Sequence, residues 1–118
     1  MSKRNATKYS LNGGKKLPKN RFVLEVVKTT LTNKPSTYSN LENLFLKEYQ
    51  GSTGVINKLD YIEIKYFNNS NKRHFIKDHE ILESADGIKF AVSTEWNFNN
   101  VLNIVKLAKK EGFKIDEA

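Results

Sequence analysis

A chain of 118 residues, 38% apolar and 11% aromatic, has the size of one domain and enough oily material for one core, which excludes a disordered protein. With no cysteine there is no disulfide framework and no thiolate zinc site, and the apolar runs are too short for a membrane span or a signal peptide, so a cytoplasmic protein without a membrane partner is expected. The net charge of +7 sits at one end: Lys3, Arg4, Lys8, Lys15, Lys16, Lys19 and Arg21 occupy an acid-free leader, and the rest of the chain is balanced.

Residues 1–17 are polar, basic and loosened by Gly13-Gly14, which predicts a flexible basic arm ahead of one compact domain over 18–118. Pro18 suits a first helical turn, and Phe22, Val23, Val26, Val27 and Leu31 recur at helical spacing, so a helix is expected over 18–32. The same β-branched run also suits a strand. Ser39 and Glu42 form a capping-box pattern ahead of Leu41, Leu44, Phe45 and Tyr49, predicting a second helix over 40–49. Gly51-Ser52-Thr53-Gly54 breaks it, and Val55, Ile56, Leu59 and Ile62 mark a third helix over 53–62.

Asn68-Asn69-Ser70-Asn71 reads as a loop. Asp86-Gly87 is a strong hairpin signal before the alternating Ile88, Phe90 and Val92, so an antiparallel hairpin is expected over 80–93. The last helix opens near Asn97, buries Phe98, Val101, Leu102, Val105 and Ala108, and ends in Lys109-Lys110 ahead of a capping Gly112.

This order is α+β and winged-helix-like: three helices, a β-hairpin as wing and a C-terminal helix. In that arrangement the helix over 53–62 offers Ser52, Thr53, Asn57 and Lys58 to phosphates or base edges, without the Arg that bidentate guanine recognition uses. The pair Gly51 and Gly54 also fits the Gly-x-x-Gly clamp of a KH-like α+β module, provided that 22–31 is a strand. Tyr9 is placed to stack on a base, and Lys72-Arg73 extends the basic patch. Arg21 is alternatively an i,i+4 partner of Glu25, and Trp96 reads better as a plug over the core than as a stacking platform. His74 and His79 lack the spacing of a metal pair, and no nucleophile arrangement or phosphate-cradling motif is present, so no metal, cofactor or catalysis is expected.

Leu17-Pro18-Lys19-Asn20-Arg21, Gln50-Gly51-Ser52-Thr53-Gly54-Val55, and Trp96 with Asn99 or Asn100 opening a helix that ends in Gly112-Phe113-Lys114-Ile115 stand out as three stretches. Together they resemble a small bacterial module associated with restriction-type and nuclease-associated proteins. The resemblance covers 17–115, departs at Asn97, where a glycine is expected, and implies nucleic-acid biology with no residue roles. The expected function is non-enzymatic nucleic-acid binding, DNA before RNA, through phosphate contacts of the basic leader. The alternative is a protein-interaction adaptor that presents Tyr38, Tyr61 and Tyr66.

Overall fold

Residues 7–66 and 73–117 are described by the computed structural model; Lys3, Arg4, Lys72 and the expected Asn-rich loop lie outside the described residues. The chain runs β1 (Tyr9–Leu11), α1 (Lys19–Asn33), α2 (Tyr38–Leu44), α3 (Lys47–Gln50), β2 (Ile56–Lys58), α4 (Leu59–Lys65), β3 (Leu82–Glu83), β4 (Lys89–Val92), α5 (Phe98–Lys110) and β5 (Ile115–Glu117). It is an α+β fold with two small antiparallel sheets, β1-β5 and β2-β4-β3. Helix α1 packs against α5, β1 and β4, and Phe22, Val23, Val26 and Val27 join Leu41, Phe90, Val92, Val101 and Ile104 in one core.

The expected first helix forms because Phe22, Val23, Val26 and Val27 are buried, with Leu31 half-buried at the end of the stripe; it begins after Pro18 and stops at Lys34, one residue short of Pro35. A helix at Lys19–Asn33 removes the strand that a KH-like order requires. The second helix differs from expectation. Thr37, not Ser39, caps it by accepting from the Asn40 N–H at 3.2 Å, because Tyr38 is drawn into the first turn by tertiary contacts. Its N–H donates to Asp86 Oδ1 at 3.0 Å, and its ring packs edge-on against Phe90, centroids 5.6 Å apart. Phe45 turns into the core and ends α2, and α3 closes on Gly51 at φ +105°.

No helix spans 53–62. Ile56, Asn57 and Lys58 pair with Val92, Ala91 and Phe90 of β4, and the Asn57 amide donates to the Thr53 carbonyl at 2.7 Å, a local bond that competes with helical hydrogen bonding. The β-branched Val55-Ile56 pair fits a strand, and α4 begins only at Leu59. The hairpin over 80–93 is present, with Leu82 opposite Phe90 and Gly87 at φ +82°. The last helix has the expected ends: Asn97 and Asn100 cap one another reciprocally, and Gly112 takes φ +94° while the Phe113 N–H reaches the Ala108 carbonyl at 3.0 Å. Its buried side differs, with Ile104 and Leu107 in the interior, Phe98 exposed and Leu102 half-buried.

The leader is not a free arm through residue 17. Tyr9, Ser10 and Leu11 pair with Glu117, Asp116 and Ile115, and Tyr9 exchanges both backbone bonds with Leu17, at 2.9 and 2.7 Å. The Tyr9 ring lies 5.1 Å from Phe22 and is fully buried, so it is a core side chain and not a base-stacking one. Its hydroxyl has no hydrogen-bond partner among the described residues. Removing that desolvated group is favourable, so Tyr9→Phe is expected to stabilise the protein by about 1 kcal/mol. A chemical denaturation midpoint below that of the parent would contradict the burial of β1.

Candidate nucleic-acid interface

Pairing of β1 with β5 and with Leu17 leaves Asn12-Gly13-Gly14-Lys15-Lys16 as the exposed tip of a hairpin. Asn12 and Gly13 adopt φ of 52° and 80°, the left-handed turn that Asn and Gly tolerate best. The tip is tied to the C-terminal segment: the Asn12 N–H donates to the Lys114 carbonyl at 2.7 Å, and the Lys114 N–H donates to Asn12 Oδ1 at 2.9 Å. Lys15, Lys16 and Lys114 thereby share one end of the β1-β5 ribbon, while Asp116 and Glu117 lie opposite Ser10 and Tyr9, away from the turn. Lys8, Lys15 and Lys16 are exposed and form no ion pair among the described residues. Lys15 and Glu25 line a shared groove of about 450 Å³.

The remaining expected contacts divide. Lys19 is half-exposed at the start of α1. Arg21 pairs with Glu80 and not with Glu25: its guanidinium meets the Glu80 carboxylate at 2.7 Å and lies 4.6 Å from the centre of the Phe75 ring. Burial pushes the Glu80 carboxyl up, but hydrogen bonds from Arg21 and the Lys77 N–H, with the charges of Arg21 and His79, outweigh it and hold the pKa below the ordinary value. Ser52 is exposed, and Lys58 is exposed above the Tyr38 ring at 5.4 Å. Thr53 is buried against Ser93, oxygen to oxygen 3.1 Å, and Asn57 bonds inward. Tyr38 is buried as well, which removes it from an exposed adaptor surface.

Sequence reasoning missed a buried polar knot that organises residues 50–57. Gln50 Oε1 accepts from the Ser52 N–H at 2.7 Å, the Gly54 N–H at 3.0 Å and the Ser52 hydroxyl at 3.2 Å, while its Nε2 donates to the Glu95 carbonyl at 2.9 Å. Asn57 Nδ2 donates to the Thr53 carbonyl and lies 3.0 Å from His74 Nε2. A carbonyl oxygen only accepts, so that Asn57 atom is the amide nitrogen and His74 Nε2 is the acceptor. His74 is therefore neutral, 1% exposed, with its pKa lowered to about 4 by burial first and by Arg73 second. Its Nδ1 has no partner among the described residues. The Gly-x-x-Gly spacing was the only sequence signal for this knot, and it marked the backbone without marking Gln50, Ser93 or His74.

On the far side of the knot, Arg73 reaches Glu95 at 3.2 Å and lies 5.4 Å from the Tyr66 ring centre. Among the described residues no group of three or more His, Cys, Asp or Glu is placed to hold a metal ion, and no helix is long and apolar enough to cross a membrane. No family model, curated protein or solved structure matches the chain.

Proposed function

We propose that this chain is a non-enzymatic nucleic-acid-binding module, DNA before RNA, that grips phosphates with the basic tip of its β1-β5 ribbon and the bases preceding it. The single observation that carries this reading is the exposure of Lys15 and Lys16 at the ribbon's tip, and of Lys8 just ahead of β1, without ion-pair partners among the described residues. Each phosphate contact made by an exposed lysine releases counterions, which drives association with a polyanion. In a winged-helix-like description the β3-β4 hairpin is the wing, with a strand-to-helix corner at Lys58-Leu59 in place of a long presented helix. An association with restriction-type or nuclease proteins, implied by the sequence resemblance, accords with such a role.

The test is equilibrium binding of a short DNA duplex by the parent and by a Lys8→Gln, Lys15→Gln, Lys16→Gln variant. The three side chains are exposed, so the variant folds, and affinity is expected to fall for every duplex sequence alike. Unchanged affinity overturns the assignment. Deleting the leader is the wrong experiment, because it also removes β1. The adaptor reading retains the exposure of Tyr61 and Ile64 on α4, 42% and 82%, and predicts protein binding that is indifferent to the three lysines.

A further inference from the structure

One face of the molecule carries a continuous series of cations and aromatic rings outside the ribbon. Lys65 lies 6.0 Å from the Tyr61 ring centre, the Tyr61 and Tyr66 rings meet edge-on at 6.4 Å, and the Arg73 guanidinium lies 5.4 Å from Tyr66. Arg73 also lines an open groove of about 580 Å³ together with Ser52, Glu95 and Trp96. Tyr61 is 42% exposed and Ile64 82%. At about 100° per residue around a helix, Tyr61 and Lys65 share one flank of α4, Asp60 and Glu63 fall on the opposite flank, and Ile64 stands between them. Glu95, which lines the groove with Arg73, is paired with it at 3.2 Å.

We infer that the Lys65–Tyr61–Tyr66–Arg73 ladder, running into the Trp96 groove, is a stacking platform for the unpaired bases of a single-stranded nucleic acid. The inference rests on the nucleic-acid reading above and adds the class of strand. Interleaved cations and π-faces suit this ligand for two reasons: a base stacks on the exposed Tyr61 ring, beside the half-buried Tyr66 ring that backs onto His74 at 5.3 Å, and Lys65 meets the adjoining phosphate, with Arg73 sharing its surface pair with Glu95. A duplex hides its base faces and gains nothing from the rings. A protein partner would use the same tyrosines and Ile64, but Lys65, which forms no ion pair among the described residues, adds positive charge beside the paired Arg73 and Glu95 and favours a polyanion.

The experiment compares an oligothymidylate of about 20 nucleotides, longer than typical single-strand site sizes, with a duplex of equal length. The proteins are the parent, Tyr61→Ala, and Tyr61→Ala with Tyr66→Leu. Tyr61→Ala alters an exposed ring and leaves the core intact, so it remains informative even if the double variant is destabilised. Single-strand affinity is expected to drop about 5- to 100-fold in Tyr61→Ala, with duplex affinity changed less than about threefold. Trp96, the one tryptophan of the chain, is expected to lose fluorescence on binding the single strand. If duplex binds while Tyr61→Ala leaves single-strand affinity unchanged, the platform is refuted and the ribbon reading stands. If neither nucleic acid binds the parent, both fall.

Discussion

Replacing Gln50 with alanine is expected to lower the stability of the protein by about 3 kcal/mol, the cost of leaving buried donors and a carbonyl without partners. The side chain is 7% exposed and serves the Ser52 N–H, the Gly54 N–H, the Ser52 hydroxyl and the Glu95 carbonyl at once. Asn100 and Asn103 then fasten the same corner to α5, donating to the Gln50 and Tyr49 carbonyls at 3.0 Å each. Loss of the amide therefore loosens the 50–54 loop and the floor of the Trp96 groove together. Gln50→Met keeps the volume and discards the hydrogen bonds, so its denaturation curve should resemble that of Gln50→Ala. Parent-like stability in Gln50→Met would mean that packing, not the amide, holds the loop.

Acid is expected to destabilise the protein well above the range in which carboxylates titrate. His74 has an ordinary pKa of 6.5 that is lowered to about 4 in the fold, so the unfolded chain binds a proton more readily than the folded one. The stability associated with neutral His74 is complete above about pH 6.5 and is lost as pH falls toward 4. The shift corresponds to about 3 kcal/mol in full and about 2 kcal/mol between pH 7 and pH 5. Glu80, lowered from its ordinary 4.5, contributes stability above that value and loses it only at lower pH, which leaves the interval from 7 to 5 to His74. Urea titrations at the two pH values measure the difference directly. His74→Gln, which retains an acceptor for Asn57, should flatten it; a parent protein equally stable at both would contradict the neutral buried imidazole.

The elements that sequence made legible are those whose signals are local. The stripe Phe22-Val23-Val26-Val27 between Pro18 and Pro35, the Asp86-Gly87 turn, and Asn97 with Gly112 around the last helix each specify structure within about a dozen residues, and the fold follows them. What was misread depends on distant partners. Tyr9–Leu11 is too short to announce a strand, and its partner Ile115–Glu117 lies at the other end of the chain. Val55, Ile56, Leu59 and Ile62 satisfy helical spacing as sequence, yet β4 offers Ile56, Asn57 and Lys58 a strand pairing, the Val55 carbonyl accepts from the Ser93 N–H at 3.0 Å, and the Asn57 amide closes the turn that a helix would need. Helix α2 starts at Tyr38 because Asp86 and Phe90 hold that residue, contacts that no capping pattern encodes. Among candidate site residues the leader lysines were visible from charge alone, but the hairpin that carries Lys15 and Lys16 was not. Thr53 and Asn57 have the chemistry of readers and are spent inside the fold, while Arg73 and Tyr66 become neighbours only through tertiary structure.

The most direct measurement is the affinity of the full chain for a DNA duplex across a series of salt concentrations. With Lys3, Arg4, Lys8, Lys15 and Lys16 on phosphates and Arg21 committed to Glu80, the log–log slope should be about −4 to −5, falling to about −2 when Lys8, Lys15 and Lys16 are replaced by glutamine. A slope near zero in the parent, or one that the three substitutions leave unchanged, would contradict the account.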